Sequence, residues 1–147
     1  MKKMPNYLKR YGSEFQEWFK IIYKCSLLNE NQADNEGDLL ALFPNTARKF
    51  LEVYFCFKYP HDTKEDKSYY NYLAFFDNQT VNTDSVQKIC NEGSHIYDIF
   101  TNPFQVFSND EIINAAKLII SRLEEKDKVQ FTILKSGFEQ SQGVKNG

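Results

Sequence analysis

The chain is poor in the residues from which disulfide scaffolds, metal centres and membrane anchors are built. Its three cysteines, Cys25, Cys56 and Cys90, are odd in number, widely spaced and set among apolar residues. That excludes a paired disulfide framework and reads as reduced thiols. No zinc-ligand spacing occurs, and there are only two histidines, His61 and His95, so no metal site is expected. The net charge of −2, from 18 basic and 20 acidic residues, gives no global basic field. Any nucleic-acid contact must therefore be local. Nowhere do eighteen uncharged apolar residues run together, and Met1 to Tyr7 lacks the apolar core of a signal peptide. A soluble cytoplasmic protein with no membrane partner is expected. A Walker A loop, a dinucleotide glycine fingerprint and a nucleophile elbow are all missing, so no nucleotide is bound by a recognisable loop and no cofactor is expected.

What the chain has in quantity is apolar and aromatic side chains, 41% and 16% of 147 residues. This suffices for one well-packed domain and is too little for two. The stretch around which it is organised runs from Asn45 to Pro60. Pro44 and Asn45 predict a helix start and Pro60 a stop. Phe50, Leu51, Tyr54, Phe55 and Phe57 give that helix an apolar body broad enough for burial.

Taken in order, Ser13 to Gln16 has the form of a capping box, and Phe15, Trp18, Phe19, Ile22 and Tyr23 follow at helical spacing, predicting a first helix over Ser13–Leu28. Asn29 to Asp38 holds one alanine as its sole apolar residue and reads as a mobile surface loop. Leu39 to Phe43 leads as a helical turn into the central helix. A third helix is expected over Ser68–Phe76, with Tyr69, Tyr72, Leu73 and Phe76 on one side, followed by a turn at Asp77–Thr80. A fourth, capped by Thr83 or Asp84, passes through Val86, Ile89 and Cys90 and closes near Gly93. Ser108 to Glu111 is a second capping box that opens a long helix through Ile112, Ile113, Ala116, Ile119, Ile120 and Leu123. Lys128 to Leu134 alternates like a strand but has no second strand to pair with, so a helix extension or ordered tail is expected there. From Ser136 the glycine and glutamine content predicts disorder. The fold expected is all-α, a single-domain bundle of four to five helices over residues 1–135 with a disordered tail over 136–147.

Helical period places Arg48 and Glu52 four residues apart on one face. One reading is a solvated ion pair contributing about 0.2–0.5 kcal/mol. The other is half of an active site that needs a third group from elsewhere. His95, set among the small and polar residues of Lys88 to His95, is the candidate, whereas His61 follows Pro60 in a charged loop and reads as solvated.

Three blocks, Pro5 to Phe15, Phe43 to Pro60 and Asn91 to His95, occur in an order that resembles the C-terminal region of ATPase-linked anticodon nucleases of the RloC and PrrC type. The resemblance covers roughly Pro5 to Leu134. It implies an α-helical domain related to the HEPN ribonucleases of bacterial phage defence, with an arginine, a glutamate four residues later and a downstream histidine as the nuclease site. Carried onto this chain, these are Arg48, Glu52 and His95, with Lys88, Asn91 and Ser94 as substrate-binding neighbours. Lys88 departs from the arginine usual seven residues before the histidine, and lysine lacks the bidentate fork for phosphate. The resemblance also implies an ABC-type ATPase as partner or fused domain. No ATPase motif is present here, so the chain reads as an excised domain, a truncated relative or a stand-alone derivative.

The chemistry implied is metal-independent cleavage of tRNA or another structured RNA. Glu52 and His95 would divide the roles of base toward the ribose 2′-hydroxyl and acid toward the leaving 5′-oxygen, and Arg48 would stabilise the phosphorane. The expected product carries a 2′,3′-cyclic phosphate. HEPN-like domains commonly pair, and a chain with so little basic surface is expected to form a homodimer around one RNA cleft. The competing expectations are a catalytically silent helical domain that binds a partner ATPase or its own copy, and an unrelated helical bundle. Asn45 is expected to cap its helix and not to touch substrate.

Overall fold

In the computed structural model the described residues are 6–59, 68–92 and 107–143, and they form seven helices and no strand. The all-α single domain is as expected. The number of helices exceeds the four to five read from periodicity, because two segments without a long apolar stripe also coil.

Helix α1 (Asn6–Ser26) buries Phe19, Ile22 and Cys25. It starts before Ser13, so the Ser13–Gln16 box lies inside the helix and caps nothing. Leu8, Lys9 and Arg10 are good helix formers, and a single glycine at Gly12 costs about 1 kcal/mol, too little to force a break. Lys24 sits in the last turn, favourable to the helix dipole.

The expected loop after α1 contains α2 (Glu30–Ala33). Asn29 Oδ1 accepts from the Gln32 amide at 2.9 Å while Gln32 Oε1 accepts from the Asn29 amide at 3.1 Å. This reciprocal box satisfies two free donors, and buried Ala33 is the anchor.

Helix α3 (Gly37–Lys58) runs straight through Pro44, where composition predicts a start. Proline inside a helix removes one amide donor, here the one that would reach the Leu40 carbonyl. Leu40, Phe43, Ala47, Phe50, Leu51, Tyr54 and Phe55 are buried on either side of it, and their packing holds the helix together across the gap. Phe57 was expected in the buried body and is instead 84% exposed. The stop comes at Tyr59, and Pro60 lies outside the described residues.

Helices α4 (Ser68–Phe75) and α5 (Thr80–Glu92) are joined by a tight turn. Asp77 and Asn78 have φ of 52° and 62°, a left-handed conformation that Asp and Asn tolerate better than most residues. The Asn78 amide donates to the Leu73 carbonyl at 2.8 Å, and the Asp77 amide to Ala74 at 3.2 Å, closing α4. On α4, Tyr72 and Phe75 are buried, as is Phe76 just past its end, while Tyr69 turns outward. Helix α5 begins at Thr80, a turn earlier than expected, with Thr83 a core residue and not a cap.

Helix α6 (Asn109–Lys126) follows its capping residue as expected: Ser108 Oγ accepts from the Glu111 amide at 3.2 Å. After a break at Asp127, α7 (Lys128–Gly143) is helical and extends past Ser136, where the composition predicts disorder. Phe131 packs edge-on against Phe19, and Phe138 lies 5.0 Å from Tyr23, so aromatic anchors hold α7 to α1.

The core is an aromatic ladder on α3. Phe15 stacks on Phe50 at 4.4 Å, Tyr54 meets Phe75 at 5.7 Å, and Phe55 meets Tyr72 at 5.1 Å. Helix α3 thus touches α1, α5 and α6 directly. No helix among the described residues is long and apolar enough to cross a membrane.

The end of α4 is clasped by α6. Arg122 donates to the Phe75 carbonyl at 3.0 Å and to Asp77 Oδ2 at 2.6 Å, and Lys126 pairs with Asp77 Oδ1 at 3.0 Å and donates to the Ala74 carbonyl. The Lys126 hydrogen bond, aided by the Arg122 charge, holds the Asp77 carboxyl below its ordinary value of 3.8. A carboxyl whose pKa is lower in the folded state adds stability above its unfolded pKa and loses it as pH falls through the folded one. Asp77→Asn keeps a residue that tolerates positive φ and removes only the charge. Its melting temperature is expected below that of the wild type at about pH 6, with the gap closing at about pH 3. A gap unchanged over that range in parallel melts would contradict the ion-pair role.

Candidate functional site

The middle of α3 carries Asn45, Arg48 and Glu52 in successive turns of one face. Arg48 and Glu52 form no ion pair among the described residues, so the solvated-pair reading does not hold. Arg48 turns back along the helix instead, and its Nη2 donates to Asn45 Oδ1 at 3.1 Å. Asn45, expected as a cap, lies well inside α3 and is the partner of the guanidinium. Arg48 is half-buried, and its Nε is shielded from solvent with no hydrogen-bond partner among the described residues. A buried N–H without a partner is costly, of the order of 1–3 kcal/mol, and is uncommon in a finished structure.

Two residues that the sequence did not single out lie next to it. Tyr72 of α4 is 3% exposed and Cys90 of α5 is 0% exposed, close enough for each to influence the other's titration. Both feel the charges of Arg48 and Glu52. Burial pushes the Cys90 thiol up to about 12, with Tyr72 and Arg48 pulling it back and Glu52 adding to the rise. Burial, and then the Cys90 sulfur, push the Tyr72 phenol well above its ordinary value. Both groups are neutral near pH 7, and Cys90 is accordingly a poor nucleophile. Arg48 is thus the half-buried cation of α3 within electrostatic reach of two buried neutral groups.

Glu52 is exposed. Lys88 and Asn91 are exposed in the last turns of α5, on either side of Cys90 in the chain. Helix α5 packs on α3, and Cys90 near its end feels the charges of Arg48 and Glu52. Ser94 and His95 lie outside the described residues, as does His61. His95 follows Cys90 by five residues, so chain length alone keeps its Cα within about 18 Å of that of Cys90.

Asn45 was legible in principle as a polar side chain three residues before Arg48. Tyr72 and Cys90 had no sequence signal, since both sit in apolar stripes and only tertiary packing places them. A groove of about 590 Å³ between α2 and α6, lined by Glu30, Asp110, Glu111, Ile113 and Lys117 among others, shares no residue with this cluster. No group of three or more histidine, cysteine, aspartate or glutamate side chains among the described residues is arranged to hold a metal ion.

Comparison with curated proteins and with solved structures finds no match. A family model described as an AAA domain matches residues 1–121, most of the chain and all of α1 to α5, so by sequence the protein belongs to that family.

Proposed function

We propose that this chain is a HEPN-like endoribonuclease domain that cleaves tRNA or a similarly structured RNA without a metal ion. The observation that supports this reading is the packing of α5, with Cys90 buried near its end, on the helix that carries Arg48 and Glu52, because His95 follows Cys90 by five residues. Arg48 would stabilise the charge that develops on the phosphorane, and no carboxylate among the described residues forms a salt bridge with its guanidinium. Glu52 and His95 would act as base and acid on the 2′-hydroxyl and the leaving 5′-oxygen. Lys88, Asn91 and Ser94 would hold the flanking backbone, and two copies of the domain would complete the RNA cleft. Membership of an AAA-domain family is in keeping with a helical module that works with an ATPase.

A second reading, a silent interaction domain, draws on Phe57. It stands 84% exposed at the rim of a groove of about 400 Å³ whose wall includes Phe15, Val53 and Tyr54, and a large apolar side chain so placed marks contact surfaces.

The experiment is incubation of tRNA with the wild-type chain in EDTA, followed by analysis of the new 3′ ends. Ends bearing 2′,3′-cyclic phosphate are expected. Intact RNA, or 3′-hydroxyl ends, would overturn the nuclease reading.

A further inference from the structure

We propose that Asn45 is the positioning residue of this site, fixing one arm of the Arg48 guanidinium so that the charged group is preset for a phosphodiester oxygen. The inference rests on the nuclease reading and adds a residue to it. Asn45 Oδ1 accepts from Arg48 Nη2 at 3.1 Å, three residues apart on one rigid helix. A free arginine side chain samples many rotamers, and this bond selects one that turns back along the helix axis. Tyr72 of α4 and Cys90 of α5 are buried within electrostatic range of Arg48. The Nε–H is shielded from solvent and has no partner among the described residues, so a phosphate would meet the remaining Nη donors of the same rigid, charged group.

A cation held this way contributes to catalysis through orientation, because its reorganisation is completed before substrate arrives. The carboxylate of Glu52 does not compete for the guanidinium, since Arg48 is bonded to the amide of Asn45 instead. The amide oxygen is a suitable holder. It accepts a hydrogen bond without cancelling the positive charge that the phosphate needs.

The test uses Asn45→Ala and Asn45→Asp with two readouts. Alanine is a better helix former than asparagine, so the melting temperature of Asn45→Ala is expected to be unchanged or higher, and loss of function cannot be laid to unfolding. In tRNA cleavage, Asn45→Ala is expected to lose about ten- to a hundred-fold in kcat with KM changed less than about threefold. Asn45→Asp restores an acceptor and is expected to recover kcat, but with a raised KM because its charge competes with phosphate for Arg48. Asn45→Ala matching the wild type in kcat overturns the inference and leaves the nuclease reading standing.

The second readout does not need activity. The Arg48 Nε–H signal in a ¹H–¹⁵N spectrum is expected to exchange slowly in the wild type, to shift on titration with inorganic phosphate, and to exchange fast in Asn45→Ala. If wild-type tRNA cleavage is absent the nuclease reading falls, and this signal decides the positioning role: an Nε–H resonance unaltered by Asn45→Ala overturns it.

Discussion

Replacing His95 with alanine is expected to abolish RNA cleavage and to leave the fold intact. General acid–base assistance is typically worth a hundred- to ten-thousand-fold, about 2.7–5.5 kcal/mol of transition-state stabilisation. The chain has one other histidine, His61, which follows Pro60 in a charged stretch far from His95 in sequence. The neighbouring buried groups cannot substitute, because Cys90 and Tyr72 keep their protons near pH 7. The cost in stability should be small. His95 lies outside every apolar stripe that builds the core, and such substitutions usually cost no more than about 1 kcal/mol. Side-by-side tRNA cleavage and thermal melts of wild type and His95→Ala check both halves. Equal cleavage by the two proteins would trace the activity to another site.

The largest loss of stability is expected from Phe50→Ala. Phe50 is fully buried at the crossing of α1 and α3, stacked on Phe15 at 4.4 Å and beside Tyr54 and Phe19, each at 6.3 Å. Truncating a buried phenylalanine removes its transfer free energy and leaves a cavity, together about 3–5 kcal/mol. For a chain of this size that lowers the melting temperature by roughly 10–20 °C. Phe57→Ala, seven residues along the same helix, is the internal control. Its side chain is 84% exposed, and the expected change is within about 0.5 kcal/mol. Calorimetry of the two variants separates core from surface on one element, and similar losses for both would contradict the burial pattern.

That contrast also shows where sequence reasoning reached and where it stopped. Helix α6 was legible in full, since Ser108 and Glu111 mark its start and seven buried apolar residues repeat at helical spacing. The body of α3 was legible too, but its beginning was not. Pro44 carries a strong local signal for a first turn, and tertiary burial on both sides overrides it. Helix α2 was missed because its capping box involves Asn29 and Gln32 in a run too polar to show periodicity. The start of α7 fits the helix extension expected over Lys128–Leu134, but its run past Ser136 was not legible, because Phe131 and Phe138 act through contacts with Tyr23 and Phe19 on a distant helix. Of the proposed site, Arg48 and Glu52 were singled out by spacing and resemblance. Their surroundings were not, because Tyr72 and Cys90 read as core residues and reach Arg48 only when α4 and α5 pack against α3.

The central claim is that Arg48, Glu52 and His95 belong to one site, and an NMR titration of the two histidines tests it most directly. A carboxylate near an imidazole favours its charged form and raises its pKa, so removing that charge lowers it. Glu52→Gln is therefore expected to lower the pKa of His95 by about 0.5 unit or more, the effect of one unit charge at roughly 6 Å in water-like surroundings, while the pKa of His61 stays where it was. Identical titration curves for His95 in the wild type and in Glu52→Gln would place the histidine away from the glutamate and contradict the account.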